Sequence, residues 1–201
     1  MFVVTADQRA STRVGDHVIA LTERLQPWFA AHAEHVALPL ERTVGDEVQT
    51  VLTSADAALD LALTLTRIGD WSVGIGAGAV EEPLGASARA SAGPAFVSAR
   101  AAVERAKLKS EPVPVVVAGA HDGAAEAATA VVQLIASVIR RRSAAGWEVA
   151  DLLAHGATQR EAAAKLAISE QAVSQRVASA MIDEERRARP VAARLIDAAG
   201  R

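Results

Sequence analysis

The sequence predicts an α+β protein built in two parts. In the first 120 residues, short β-branched and apolar runs alternate with longer segments in which apolar residues recur every three or four positions. Beyond residue 120 only the helical spacing continues. The chain has 201 residues, of which 51% are hydrophobic and 22% charged, so we expect a folded protein of one large or two small domains.

The first predicted strand, helix and hairpin follow in order along the chain. Residues 2–5 are apolar and β-branched, which predicts a buried strand ending near Asp7. Helical spacing over residues 14–34 predicts a helix that Pro27 kinks or splits. Two strand-like segments then flank Gly45 and Asp46, a pair typical of a two-residue hairpin loop, so Asp46 is expected at the tip.

A glycine-rich strand is the most informative element of this half. After a helix predicted at 55–68, alternation over 71–80 places Ser72, Gly74, Gly76 and Gly78 on one face. Glycine weakens a strand unless something lies close to its backbone, so a helix, another backbone or a ligand is expected there, and helix packing is favoured. A helix at 94–107 and a strand at 113–118 complete the order βαββαβαβ. Its first six elements have the order of the ferredoxin-like fold.

Three segments of this half carry a family resemblance. They are VVTAD at the end of the first strand, RTVGDEVQTVL across the hairpin, and VGIGAG followed by GPAFVSARAAVERA. Together they resemble the class III nucleotide cyclase homology domain, and the GDE hairpin is similar to that of the SatD family. The resemblance covers roughly the first 115 residues and implies a cyclase-like, ferredoxin-like domain.

The resemblance implies a metal site and a nucleotide site. Asp7 and Asp46 match the aspartates that hold two divalent ions, and Mg²⁺ suits such oxygen ligands. As residues alone, the two aspartates are equally explained as a turn residue and a loop cap. The implied nucleotide site comprises Arg42, Gly45 and Arg100. Arg42 stands where a base-reading lysine is usual, and Arg100 matches a ribose-orienting arginine.

One position departs from the cyclase pattern. Phe96 stands where the resemblance implies an asparagine, and the chain contains no asparagine. Loss of a group that orients the transition state lowers turnover by a factor of roughly 100 or more, which favours a domain that no longer catalyses. The alternative is an active nucleotide cyclase, or related nucleotidyl transferase, with a regulatory helical tail.

Residues 123–142 predict one long helix. Its expected apolar face comprises Val131, Leu134, Ile135, Val138 and Ile139, and it ends in three arginines. Packing on the N-terminal domain and packing on a partner chain both remain open, with dimerisation favoured.

The segment QREAAAKLAISEQAVSQRV, residues 159–177, resembles a helix-turn-helix. A small residue, Ala163, lies where two crossing helices meet, and Val173 and Val177 point inward. Thr158 and Ser169 are suited to cap the two helices, whereas Ala167 occupies a turn position where glycine is usual. A further helix is expected to start at Pro190 and run through Ala199, after a charged run that forms a solvated face.

The outward side chains of this motif suit double-stranded DNA. Those predicted to contact bases are Ser169, Glu170, Gln171, Ser174 and Gln175. Those predicted to contact phosphates are Thr158, Gln159, Arg160, Lys165 and Arg176. Residues 1–122 hold 10 basic and 15 acidic residues, a net charge of −5, and the remainder holds 11 and 9, a net charge of +2. The basic shift favours a polyanionic partner for the second part.

These patterns predict a DNA-binding transcriptional regulator in three segments. Residues 1–120 form the cyclase-like domain that dimerises or senses a ligand such as a nucleotide, 121–145 a linker helix, and 146–201 the DNA-binding domain. A homodimer is expected. A cytoplasmic location is also expected, because neither a secretory signal nor a membrane span is visible. The absence of cysteine excludes disulfides and thiol catalysis.

Overall fold

A computed structural model describes residues 1–9 and 15–201. The strands are β1 (Phe2–Gln8), β2 (Val36–Arg42), β3 (Glu47–Leu52), β4 (Trp71–Ala77) and β5 (Val115–Ala118). The helices are α1 (Val18–Ala31), α2 (Ala55–Ile68), α3 (Pro94–Ala106), α4 (Asp122–Arg141), α5 (Ala144–Ala154), α6 (Gln159–Leu166), α7 (Glu170–Ser179) and α8 (Ile182–Ala199). Short 3₁₀ turns occupy Ala33–His35 and Ala88–Ala90. The predicted α+β class and the order βαββαβαβ are therefore observed.

The strands of the described residues form a five-stranded mixed sheet in the order β2-β3-β1-β4-β5. β1 pairs antiparallel with both β3 and β4, and β5 pairs parallel with β4. The parallel pair is joined through α3, as a parallel pair requires a crossover connection. β1 thus lies at the centre of the sheet, and its last residues lie beside the β2–β3 hairpin.

The glycine face of β4 lies directly against α3. A Cβ added at Gly76 would come within 2.1 Å of the Ala95 carbonyl oxygen, and one at Gly74 within 2.4 Å of the Val103 amide nitrogen. These glycines therefore allow a helix backbone to approach the sheet more closely than any side chain permits. The expectation of tight helix packing is confirmed.

The opposite face of the sheet carries the main core. Buried residues of β1, β3, β4 and β5 pack there against α1, α2, α4 and α8. Leu61 and Leu65 of α2 and Ile75 of β4 are among its buried side chains. Because α2 is apolar along one broad face, its burial follows directly from its sequence pattern.

α4 is a core helix, and its buried face differs from the predicted one. Ile135 and Ile139 are buried as expected, together with Val132, but Leu134 is 67% exposed. Beside this helix runs α8, since the Ala199 carbonyl accepts from the His121 amide at one end. Among the described residues α4 alone is long and apolar enough to span a membrane, with mean hydropathy 1.3, and 39% of that stretch is buried in the fold.

The last helix differs most from expectation. α8 begins at Ile182, so Pro190 lies inside the helix rather than at its start, and the charged run forms the first turns. Acidic residues in the first turn complement the helix dipole, and burial of Ala192 and Ile196 in the main core offsets the amide that proline lacks. The run is also not merely a solvated face, because Glu185 is 8% exposed. α8 therefore joins the main core, although the sequence groups it with residues 146–201.

Candidate functional site

Helices α5, α6 and α7, together with Ile182 at the start of α8, enclose a second, smaller core. Val149 of α5, Ala163 of α6, and Val173 and Val177 of α7 are all buried in it. Ala163 lies at the predicted contact between two helices, where its small side chain permits close packing. This core is distinct from the one beneath the sheet, although Trp147 packs against both. We call α5, α6 and α7 the three-helix unit and the rest of the described fold the sheet unit.

Local hydrogen bonds fix the ends of α6 and α7. Thr158 and Glu161 form a capping box, in which the Thr158 hydroxyl accepts from the Glu161 amide and the Glu161 carboxylate accepts from the Thr158 amide. The amide of Thr158 is the main reason that the pKa of Glu161 is lowered. Ser169 caps α7 by accepting from the Ala172 amide at 3.1 Å. Ala167 ends α6 in the left-handed region, with φ 54° and ψ 43°.

A polar surface, which we call the α6–α7 face, is exposed on this unit. Its exposed members are Thr158, Gln159, Arg160, Lys165, Ser169, Glu170, Gln171, Ser174 and Gln175. The Ser174 hydroxyl donates to the Gln159 amide oxygen at 2.8 Å and so links the polar residues of the two helices. No residue of the N-terminal half covers these side chains, since each is exposed to solvent in the full described chain.

Arg176 differs from the other predicted phosphate ligands. It is half-buried, and its guanidinium lies 2.9 Å from the Glu148 carboxylate of α5. Because this ion pair connects α7 to α5, Arg176 already has a structural partner. The sequence did not indicate this pair, which joins residues 28 positions apart.

The aspartates of the resemblance lie near the C-terminal end of β1. Asp7 pairs in register with Glu47, and the Asp46 carbonyl accepts from the Gln8 amide at 3.4 Å, so both aspartates belong to the same strand junction. The Asp7 carboxylate, however, is 2.9 Å from the Lys107 ammonium, just beyond the end of α3. Sequence reasoning missed Lys107, which follows α3 at the end nearest this junction.

The Lys107 ammonium makes this junction a poor fit for two divalent ions. Partial burial by itself lowers the pKa of Lys107, but hydrogen bonds to Asp7 and Glu104 outweigh it, so the pKa lies above its ordinary value. The cation therefore stays charged and neutralises Asp7. Among the described residues, no group of three or more histidine, cysteine, aspartate or glutamate side chains is arranged to hold a metal ion.

The predicted nucleotide residues do not come together. Arg100 lines a cavity of about 200 Å³ on the α3 side of the sheet, with Phe96, Glu47 and Arg89 also in its wall. Arg42 does not line this cavity, because its guanidinium lies 2.6 Å from Asp16 and also donates to the Gly45 carbonyl. Phe96 thus occupies the wall where the resemblance implies a polar asparagine.

An ionic cluster holds the three-helix unit against the sheet unit. Arg142 and Glu185 form a buried ion pair at 2.5 Å, with side chains 2% and 8% exposed. Arg67 of α2 pairs with both carboxylate oxygens of Asp151 on α5, at 2.6 and 2.7 Å. Trp147 is contacted by two of these arginines, whose guanidinium carbons lie 3.6 Å (Arg67) and 4.5 Å (Arg142) from its ring centre.

This cluster surrounds a cavity of about 350 Å³ between the two units. Arg189 of α8 extends the cluster by binding Asp60 at 2.5 Å and Glu185 at 2.8 Å. Burial alone lowers the pKa of Arg189, and the two carboxylates raise it above the ordinary arginine range, so its charge is fixed. The contact between the two units therefore combines paired charges with apolar side chains such as Trp147 and Ile139.

Comparison with known proteins yields no family, no curated protein and no solved structure that matches this chain.

Proposed function

We propose that this protein is a DNA-binding transcriptional regulator, in which α6 and α7 act as a helix-turn-helix and α7 enters the major groove. The observation that carries the proposal is the α6–α7 face. Exposed amide, hydroxyl and carboxylate groups suit hydrogen bonding to base edges, with glutamine suited to adenine and glutamate to cytosine. Lysine and arginine at its margin suit phosphate contacts.

The local structure of the turn between α6 and α7 supports this assignment. A small inward residue in α6, a left-handed residue at its end and a capped α7 are the features expected where two helices cross steeply and one is presented to a groove. Helical hairpins also serve other purposes, so the polar composition of the exposed face is what favours DNA over another partner.

We further propose that the sheet unit is a ferredoxin-like, cyclase-like domain that senses a ligand and no longer catalyses. The strand order is compatible with that fold, and a cavity of about 200 Å³ with Arg89 and Arg100 in its wall suits an anionic ligand such as a nucleotide. Phe96 and the Asp7–Lys107 pair disfavour cyclisation. A cytoplasmic homodimer acting on a palindromic operator completes the proposal.

The test is a gel-shift selection from genomic fragments, followed by the double variant Gln171→Ala/Gln175→Ala. We expect this variant to lose sequence preference, at about 1–3 kcal/mol per bidentate base contact, while non-specific affinity is kept. The matched control is Gln26→Ala, since Gln26 is an exposed helical glutamine on α1. Equal selectivity of the variant and the wild type would contradict the role of α7.

Phosphate contacts are tested through salt dependence. Arg160→Ala and Lys165→Ala should each weaken binding to all sequences alike and reduce the salt slope by about 1. Lys109→Ala removes an exposed lysine from the loop between α3 and β5 and should leave the slope unchanged. Incubation with ATP or GTP and Mg²⁺ or Mn²⁺ provides the opposing test, because a cyclic product that Asp46→Ala abolishes would establish a cyclase instead.

A further inference from the structure

The outward face of α4 has no covering element in the described chain. Six residues of this face are spaced alternately four and three positions apart. We call them the α4 seam: Gly123, Ala127, Ala130, Leu134, Ser137 and Arg141. Leu134, at its middle, is 67% exposed. A spacing of 3.5 residues is the repeat by which two helices keep one line of contact along their length.

The composition of the seam is unusual for a solvated helix face. From residue 127 to residue 139 the helix holds no ionisable side chain. Beside Leu134 and Val138 a groove of about 330 Å³ separates α4 from the turn before α8, where Met181 is 42% exposed. An apolar groove next to an exposed leucine favours burial against another surface.

We propose that the α4 seam binds the same seam of a second copy of this chain in antiparallel orientation. Charge complementarity selects this occupant. The acidic Asp122 begins the helix and the basic Arg141 ends it, and neither forms an ion pair with another described residue. An antiparallel two-fold pairing sets Asp122 of each copy beside Arg141 of the other, twice per dimer.

Side-chain size fits the same register. When the charged ends are matched, Leu134 of one copy faces Ala130 of the other, and Ser137 faces Ala127. A large residue opposite a small one interdigitates without a void. Towards the groove, the partner presents Gly123, where the space around the backbone is open, so its helix can approach closely.

The antiparallel pairing also suits two DNA-binding units. α4 has 20 residues and is therefore about 30 Å long, so the two α4 ends, each followed directly by α5, stand about 30 Å apart. Successive major-groove faces of B-DNA are about 34 Å apart, which predicts half-sites separated by one helical turn. This half-site spacing rests on the proposed DNA binding, whereas the α4 contacts that form the dimer are argued without it.

The first test is sedimentation equilibrium of the full chain without DNA. The wild type should show a monomer–dimer equilibrium, and Leu134→Glu should raise the dissociation constant about tenfold or more, because it places a charge in the seam. Val97→Glu is the matched control, since Val97 is a 72% exposed valine on α3. A wild type that is monomeric at every concentration, or unaffected dimerisation in Leu134→Glu, would overturn the proposal.

Charge reversal tests the orientation. Asp122→Arg and Arg141→Asp should each weaken the dimer, whereas the double variant should restore it, because every end then meets the opposite sign again. The two positions lie about 28 Å apart along one helix, so restoration cannot arise within a single chain. A double variant no better than the singles would refute the antiparallel register.

Cross-linking provides an independent measure, because the natural chain has no cysteine. A mixture of Ala127→Cys and Ser137→Cys proteins should form a disulfide-linked heterodimer, while neither alone should cross-link efficiently. Self-linking of Ala127→Cys would indicate parallel helices and overturn the proposal. Leu134-dependent binding of a monomer to neutral or anionic lipid vesicles would assign the seam to a membrane and overturn it as well.

The DNA measurements separate this proposal from the proposed function. Monomeric Leu134→Glu should keep wild-type affinity for a single half-site and lose the tighter binding to a palindrome. A normal dimer that retains no DNA would refute DNA binding and leave the interface intact. Sequence-specific binding by a wild-type monomer would refute the interface and the proposed homodimer, and leave DNA recognition by α7 intact.

Discussion

Gly76→Ala tests how the sheet unit is packed. The added Cβ would lie 2.1 Å from the Ala95 carbonyl oxygen and 2.3 Å from the Ala99 amide nitrogen. Ordinary contact at such a position begins at 3.4 Å, so α3 must retreat by about 1.3 Å. Since both contacts are backbone atoms, no side-chain rotation relieves them.

The expected cost follows from that displacement. Overpacking in a filled interior costs about 1–3 kcal/mol, and a rigid helix backbone places this variant at the upper end, near 3 kcal/mol. For a chain of this size the melting temperature should fall by about 6–12 °C. Urea denaturation followed by circular dichroism gives the free energy of unfolding, with the slope checked for two-state behaviour.

Ser72→Ala is the matched control on the same face of the same strand. Ser72 is fully buried, and its hydroxyl has no hydrogen-bond partner among the described residues. Its removal should leave stability unchanged or raise it, because an unsatisfied buried hydroxyl is lost. If Gly76→Ala melts within about 2 °C of the wild type, the close approach of α3 to β4 is refuted.

Three further changes test other parts of the structure. Ala167→Gly should raise the stability of the three-helix unit by about 1 kcal/mol, because glycine adopts the left-handed region without the penalty of a Cβ. Urea unfolding measures this change, and a loss of stability would refute the observed turn. Glu185→Ala should cost about 3–5 kcal/mol, since Arg142 would keep a buried charge without its carboxylate, and a loss below about 1 kcal/mol would show that the pair is solvated. Burial raises the pKa of Glu111, but hydrogen bonds from Arg105 and Gln133 outweigh it and lower the pKa below the ordinary value. The stability that Glu111 contributes is therefore full above the ordinary glutamate pKa and is lost as the pH falls through the lowered pKa. Glu111→Gln should make the free energy of unfolding fall less steeply with pH on the acid side. An unchanged pH dependence on the acid side would contradict this coupling.

Local patterns in the sequence determined most of the elements and several details of their ends. The alternation of apolar residues and glycines in β4 predicted both a strand and a helix packed tightly against it, because a bare face is stable only when it is covered. Thr158 and Ser169 predicted the starts of α6 and α7, since a capping hydroxyl acts within three residues of its own position. Such interactions are local, and a single sequence records them directly.

Tertiary structure alone decided which face of α4 is buried and how far α8 extends. Both faces of α4 are rich in apolar residues, so its own periodicity did not distinguish Val132, which is buried, from Leu134, which is exposed. Pro190 is a sequence signal for a helix start, yet core burial of α8 and the anchoring of Arg189 by Asp60 carry the helix through it. A gain in packing energy from distant elements outweighed a local preference in each case.

The charged pairs likewise depend on distant partners. Lys107 and Asp7 are 100 positions apart in the chain, and Arg142 is 43 positions from Glu185, yet each pair is in contact. The sequence determined that these residues carry charge, and only the fold determined which charges neutralise one another. The strength of such pairing depends on distance and burial, which exist only once the chain has folded.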